Sequence, residues 1–271
     1  MSETRQSGAA VWRSEALEPF GRVFTGLDAG ALGDDARDAI ERALAEEGVA
    51  VLRGQGVDDD GFLRFLRGFG EMTFTVGETP LAHRPELNFV TNANRTTPPR
   101  SVFHTDTSYV SRPPAYTALR AVEIPRRGGA TVFSNQFDAF ERLDGATRER
   151  LRGLRVLHRV SGLPGDADGE RETWHPLLRR HPVSGRTALF LSTPERCVAV
   201  EGMDEAEGRA LIERLYAHST VPDRLYRHAW RPGDIVMWDD RCTLHKADHS
   251  DVEGLRTLHR GMVAGEVPLA A

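Results

Sequence analysis

S-V-F-H-T-D-T-S-Y-V (101–110), P-A-Y-T-A-L-R-A-V-E-I (114–124) and G-A-T-V-F-S-N (129–135) follow one another with little but turn residues between them. The pattern resumes in L-R-V-L-H-R-V (154–160), R-T-A-L-F-L-S (186–192), R-L-Y-R-H-A-W (224–230), D-I-V-M-W (234–238) and L-R-T-L-H-R-G-M-V (255–263). These runs are short, rich in β-branched and aromatic residues, and split by Gly and Pro. Many short strands at such spacing predict a barrel or jelly roll, not a parallel α/β sheet. One helix is expected among them, near 204–217, with Asp204 and Glu207 as a capping box and Leu211, Ile212 and Leu215 facing inward.

Upstream the text is helical first. D-D-A-R-D-A-I-E-R-A-L-A-E-E-G (34–48) places Ala36, Ala39, Ile40, Ala43 and Leu44 on one face and ends at Gly48. V-A-V-L-R-G (49–54) follows as a buried strand. A second helix starts at Asp60-Gly61, with Phe62, Phe65, Leu66 and Phe69 at helical spacing. Residues 72–100 hold few periodic apolar positions and end in N-A-N-R-T-T-P-P-R, which predicts a long loop. Residues 1–14 are polar and aperiodic, so a frayed or disordered N-terminus is expected there, and residues 15–271 form a single domain. The Gly-rich stretch 161–173 suits a mobile lid or a plain surface loop.

Composition removes several classes. At 271 residues and 39% hydrophobic, the chain buries a full core. Lys+Arg at 35 against Asp+Glu at 40 gives a formal charge of −5, which disfavours a nucleic-acid partner. No run reaches the ~18 apolar residues of a membrane span, and no secretory leader opens the chain. A cytoplasmic protein with a small-molecule partner is expected, and a homo-oligomer stays open. Two cysteines, Cys197 and Cys242, cannot build a disulfide framework. Among the 35 basic residues only Lys246 is lysine, a mark of GC-rich and hence bacterial coding rather than of chemistry.

The chemistry begins at His104-Thr105-Asp106. Residues two apart on a strand share a face, so an imidazole and a carboxylate can point together into a barrel. With one further His they make the 2-His-1-carboxylate set of non-haem iron(II), which leaves coordination positions open. The motif alone is weak, since ten His among 40 acidic residues give about 1.5 such matches by accident. A second match, His249-Ser250-Asp251, lies in a polar turn with no distant third ligand after it. Only the first has apolar residues before it and several later histidines as candidates for a third ligand. Cys242 with His245 spells C-x-x-H, but without a second Cys pair a small buried thiol is the expectation. His175, His181 and His228 are expected to be structural, and Trp238 to be core.

Taken in order, F-H-T-D (103–106), G-G-A-T (128–131), H-P-V-S-G-R-T-A-L-F (181–190), W-D-D-R (238–241) with His245, and L-H-R (258–260) resemble the iron(II)/2-oxoglutarate dioxygenases of the taurine dioxygenase and 2,4-dichlorophenoxyacetate dioxygenase type. L-R-G-Q (52–55) and F-G-E (69–71) are similar to that family's N-terminal part, so the resemblance runs from about residue 15 to 267. It implies a double-stranded β-helix (jelly roll) with helices outside, with Fe(II) as cofactor and 2-oxoglutarate and O2 as cosubstrates. By the same resemblance His104, Asp106 and His245 bind iron, Thr131 and Arg256 hold the far carboxylate of 2-oxoglutarate, and Arg260 meets the primary substrate. Thr75, Asn92, Arg100 and Tyr109 complete the set expected to face substrate. Thr75 and Glu78 stand where the taurine enzyme has its substrate-holding His and Tyr, which points away from taurine.

The implied reaction is oxidation of a C–H bond in a small anionic or zwitterionic metabolite, natural-product biosynthesis being one setting. Hydroxylation, desaturation and oxidative cleavage share that chemistry. The carboxylate at 106 leaves no place for a halide, which disfavours halogenation. Strand spacing agrees independently: Arg256 and Arg260 share one face, and two inward arginines need anions to pair with. A competing class is a cupin-like metal protein that binds and turns nothing over. Such a protein has no use for an oxoglutarate clamp.

Overall fold

The computed structural model describes residues 3–7, 10–75, 78–93, 101–162 and 169–271, with side chains from residue 11 onward. Two β-layers face each other, as the sequence predicts. Among the described residues the larger layer is a ten-stranded sheet running Glu3–Ser7, Ala10–Ala16, Arg22–Thr25, Val49–Leu52, Ile235–Asp239, Tyr116–Glu123, Thr257–Val263, Arg84–Thr91 and Pro80–Leu81, with Met72–Thr73 pairing to Thr257–Val263. Opposite it lie Leu225–His228, Thr131–Asn135 and Thr243–Ala247, the middle strand being Thr131–Asn135. All the neighbours are antiparallel except Arg22–Thr25 with Val49–Leu52. This is the jelly roll.

The strand Val49–Leu52 is buried on both faces, which is why V-A-V-L (49–52) is apolar without alternating. Ala50 and Leu52 turn toward the helices Asp34–Glu47 and Asp59–Arg67, joining Ile40, Leu44, Phe62 and Phe65. Val49 and Val51 turn into the barrel with Val236, Trp238, Leu258 and Phe133. Register agrees, since Val51 stands beside Val236 and Val49 beside Trp238. Each such side chain, fully buried, contributes roughly 1.5–3 kcal/mol of transfer free energy. Asp58 caps the second helix by accepting from the Gly61 N–H (2.8 Å), and Gly48 ends the first in the left-handed region at φ 83°.

Four expectations need correction. Residues 10–16 are not frayed: they pair with Arg22–Thr25, and Trp12 is buried against Phe24. Residues 72–93 are not plain loop, because Arg84–Thr91 pairs along Thr257–Val263. Pro85 hid that strand, since proline is tolerated only where no ladder donor is needed. Two short helices, Gln136–Glu141 and Gly145–Leu151, join the one expected; Asn135 and Asp144 cap them, but neither is long enough to show a period. Lastly, His104 is not mid-strand. It forms an isolated bridge with His245, and Asp106 opens a turn. Of the 161–173 stretch, residues 163–168 lie outside the described residues, while Glu172–Pro176 is a strand.

Candidate metal centre and active site

The bridge is what assembles the site. His104 N–H donates to the His245 carbonyl (2.9 Å) and His245 N–H to the His104 carbonyl (3.0 Å), setting the two imidazoles side by side with ring centroids 4.3 Å apart. Asp106 then reaches the same space through the turn rather than along a pleat. Thr107 takes φ 43°, a conformation a β-branched residue rarely adopts, and its hydroxyl is hydrogen-bonded to that of Thr75 (2.7 Å).

Three donors meet there: His104 Nε2 lies 3.6 Å from Asp106 Oδ1, His245 Nε2 lies 3.8 Å from Asp106 Oδ2, and all three ligand atoms fall within 4.8 Å of one another. Those separations are too long for hydrogen bonds. His104 Nδ1 faces the Val102 carbonyl at 3.0 Å, an acceptor only, so Nδ1 carries the proton and Nε2 keeps its lone pair. Burial, with His104 beside it, pushes His245 down to about 3, so it is a neutral imidazole. Burial works against charge on Asp106, but Arg260 and then the two histidines hold it well below the usual carboxylate range. Two imidazoles and an ionised carboxylate converging on one space fit a divalent iron.

Asp106 has a second layer of support. Thr117 Oγ1 lies 3.0 Å from Asp106 Oδ2 and 2.6 Å from Asp240 Oδ2. One hydroxyl carries one hydrogen. Burial, then the charge of Asp106, raises Asp240 well above the usual range, so Asp240 is neutral and supplies the second proton of this chain. Trp238 Nε1 donates to the other oxygen of Asp240 (3.1 Å). Sequence reading passed over Thr117, and it met Asp240 only as part of W-D-D-R, because nothing in their spacing marks the contact with Asp106.

On the strand that pairs with the His245 strand, Thr131 meets a cation that has no anion among the described residues. Arg256 is 1% exposed; its Nε donates to the Gly129 carbonyl (2.7 Å) and its Nη2 to Thr131 Oγ1 (3.3 Å), and Trp230 Nε1 also donates to that hydroxyl (3.1 Å). No carboxylate pairs with it among the described residues. Burial alone brings its pKa down to about 10. Gly129 makes room, since a Cβ there would come within 2.9 Å of Arg256 Cδ.

The remaining sequence-predicted residues divide. Arg260 Nη1 lies 3.4 Å from Asp106 Oδ1, its Nη2 3.2 Å from Glu78 Oε1, and its Nε donates to Asn88 Oδ1 (3.2 Å). Tyr109 is buried, its ring under the Arg196 guanidinium. Asn92 departs from the expectation. Both ends of its amide are taken by main chain, Oδ1 accepting from Arg256 N–H (2.8 Å) and Nδ2 donating to the Gly254 carbonyl (3.0 Å), so it pins the segment that leads through Arg256 into Thr257–Val263. Arg100 lies outside the described residues. His175 and His228 are buried with Val110 and Asp234 as partners, in line with structural roles.

A jelly roll whose interior holds two imidazoles and one carboxylate is the architecture of the 2-His-1-carboxylate iron(II) enzymes. The model of the family described as "Taurine catabolism dioxygenase TauD, TfdA family" matches residues 13–262, and the chain belongs to that family. It is 32% identical to the alpha-ketoglutarate-dependent 2,4-dichlorophenoxyacetate dioxygenase of Burkholderia sp. (strain RASC), over 93% of this chain and 94% of that one. It is 31% identical to pentalenolactone F synthase of Streptomyces arenae, over 89% and 91%. Among solved structures, a taurine dioxygenase from Burkholderia xenovorans superposes with a TM-score of 0.85 at 30% identity, covering 96% of this chain and 91% of that one.

Proposed function

We propose that this chain oxidises a C–H bond of a small anionic or zwitterionic metabolite as an iron(II)- and 2-oxoglutarate-dependent dioxygenase. The observation that carries the reading is Arg256, a buried guanidinium with no protein anion among the described residues, which meets Thr131 on the strand that pairs with the His245 strand of the His–Asp–His set. An uncompensated buried charge costs several kcal/mol, so such a group is kept where a ligand supplies the partner. A dicarboxylate does, and a planar guanidinium with a hydroxyl beside it suits one carboxylate end.

In this reading His104, Asp106 and His245 hold iron(II), and Thr131 and Arg256 hold the distal carboxylate of 2-oxoglutarate. Bound iron(II) with O2 and 2-oxoglutarate supplies the oxidising power, with succinate and CO2 as co-products. The chain supplies position. The His104–His245 bridge fixes the two rings; Thr117 and neutral Asp240 orient the Asp106 carboxylate; Trp230 and Gly129 aim the Thr131–Arg256 clamp. Arg260 holds Asp106 from its other side and, with Thr75 and Tyr109, borders the space for the primary substrate. Residues 15–271 act as one domain.

A cupin-like binder is disfavoured by the same clamp. Net charge of −5 supports a small molecule, not nucleic acid, as partner. Among the described residues no helix is long and apolar enough to cross a membrane, which supports a cytoplasmic setting. Oligomerisation is compatible with the fold. Pentalenolactone F synthase as a relative supports natural-product biosynthesis as one setting. The test is succinate release from 2-oxoglutarate across a panel of small acids and amino acids. Iron-dependent succinate formation that rises with one panel member, and disappears in Asp106→Ala, is expected. Succinate at background with and without iron would contradict the reading.

A further inference from the structure

Arg260, on the strand Thr257–Val263, has two carboxylates within reach, and neither fully meets it. Its Nη1 lies 3.4 Å from Asp106 Oδ1, but that carboxylate belongs to the donor set. Its Nη2 is buried without a hydrogen-bond acceptor among the described residues, although Glu78 Oε1 stands 3.2 Å away, out of line with its N–H groups. Glu78 is not a loose carboxylate. Its N–H donates to the Thr75 carbonyl (3.3 Å), and the Thr75 hydroxyl is tied to that of Thr107 (2.7 Å), the residue after Asp106. Asn88, 2% exposed, spans the ion pair: Nδ2 donates to Glu78 Oε2 (3.3 Å), and Oδ1 accepts from Arg260 Nε (3.2 Å). A carboxylate and a guanidinium are thus held side by side on a buried amide, next to the metal donors. Buried Tyr109 feels both charges together with that of Asp106. The Glu78 side chain is 41% exposed where that of Arg260 is 11%, so the pair has one open side.

We propose that the primary substrate is an α- or β-amino acid, its carboxylate taking Arg260 Nη2 and its ammonium taking Glu78. The inference rests on the dioxygenase reading above and narrows its substrate class from anion or zwitterion to zwitterion. Iron(II) in the donor set draws on the charge of Asp106, which leaves Glu78 as the anion facing Arg260. A plain monoanion at Nη2 would sit against the Glu78 carboxylate, and like charges that close repel strongly away from bulk water. Glu78 relieves that repulsion only by turning into solvent, which strips the buried Asn88 Nδ2 of its acceptor. An ammonium on the same ligand replaces the repulsion with a second charge-assisted hydrogen bond. Because Nη2 and Oε1 are 3.2 Å apart, the two charges of the ligand must be neighbours as well, one or two carbons from each other. Arg260 Nη1 beside Asp106 sets that charged end close to the metal, so the bond oxidised lies few bonds away from it.

The experiment is calorimetric titration of the anaerobic enzyme loaded with iron(II) and 2-oxoglutarate. The probes are L-norvaline, L-phenylalanine, L-glutamine and β-alanine, each beside its deamino acid: pentanoate, 3-phenylpropanoate, glutaramate and propanoate. At least one amino acid should bind at millimolar concentration or tighter, and about tenfold or more tighter than its deamino partner. Glu78→Gln should erase that preference from both sides. The amino acid should weaken by about tenfold or more, and the deamino acid should bind tighter than it does to the parent. Glu78→Asp keeps the charge and should retain part of the preference, which serves if the Gln variant does not fold. Binding of no amino acid, equal binding of amino acid and deamino partner, or a preference that survives Glu78→Gln would overturn the proposal. So would loss of the visible iron–2-oxoglutarate absorption in Glu78→Gln, because Glu78 would then brace Arg260 and Asp106 instead of meeting a ligand. Absence of that absorption in the unmutated protein would overturn the dioxygenase reading itself.

Discussion

Two clusters of histidine, aspartate and a third donor lie in this barrel, and both draw on W-D-D-R-C-T-L-H (238–245). One is His104, Asp106 and His245; the other is His181, Asp239 and Cys242. By residue type either could hold a metal. In the second, Arg241 grips Asp239 through Nε (2.8 Å) and Nη2 (2.5 Å), and His181 Nε2 lies 2.9 Å from Oδ2. His181 Nδ1 accepts from the Val183 and Ser184 N–H groups (3.3 and 3.1 Å), so Nε2 carries the proton and donates to Asp239. Burial pushes the Cys242 thiol well up, keeping it protonated. The His181 and Asp239 lone pairs that a metal would need are spent, and the thiol keeps its proton. In the first cluster the imidazole nitrogens and the carboxylate face one another beyond hydrogen-bond range. What separates a metal centre from a structural cluster is the lone pairs left over, not the list of donors.

The contrast breaks most sharply under mutation. Asp106→Ala should reduce turnover and iron binding to background while the fold, measured by chemical denaturation, is nearly unchanged. Asp239→Ala should do the reverse. Removing Asp239 leaves buried Arg241 with only its longer contact to Glu266 (3.7 Å) and His181 Nε2 without an acceptor, and should cost about 3–5 kcal/mol in the same assay. If Asp239→Ala left stability intact, the second cluster would not be structural.

The clamp should respond on a smaller scale. Arg256→Ala should cost about 2–5 kcal/mol in cosubstrate affinity, roughly 30-fold or more in the apparent constant for 2-oxoglutarate. The constant for the primary substrate should move far less, and equal changes in both would remove Arg256 from that role. Thermal denaturation sharpens the metal assignment. A divalent ion at ~100 times its dissociation constant should stabilise the parent by about 2.7 kcal/mol. That gain should survive Cys242→Ser and vanish in His245→Gln.

The smallest effect is in acid. Burial opposes the charge on Asp239, yet Arg241 and His181 hold its carboxyl below the ordinary 3.8. A carboxyl depressed in the fold contributes stability in full above ~3.8 and loses it as pH falls toward the lowered value. The parent should therefore lose stability below about pH 4 more steeply than Asp239→Asn. Parallel acid limbs would contradict that pairing.

Much of this was legible in sequence, for physical reasons that also mark where it stopped. The β-runs after residue 101 and the helix at 34–47 could be read because burial leaves a period; His104-x-Asp106 left a weak spacing signal, and His245 joined it through the resemblance to a known family. Arg84–Thr91 could not, because Pro85 masks a strand whose ladder is set by a distant neighbour. Thr117 and Asp240 meet across 123 positions, and no local pattern records such a meeting. Asn92 was assigned to substrate because its type suited; its amide is used on the Arg256 strand instead.

The central claim is that the open cluster binds iron(II) and that Arg256 then holds 2-oxoglutarate beside it. Anaerobic titration of metal-free protein with iron(II) and 2-oxoglutarate, followed by visible absorption, addresses it most directly. A charge-transfer band should saturate with one iron per chain, persist in Cys242→Ser, disappear in His245→Gln, and require far more 2-oxoglutarate in Arg256→Ala. A band that survives His245→Gln, or that the unmutated protein never forms, would contradict the account.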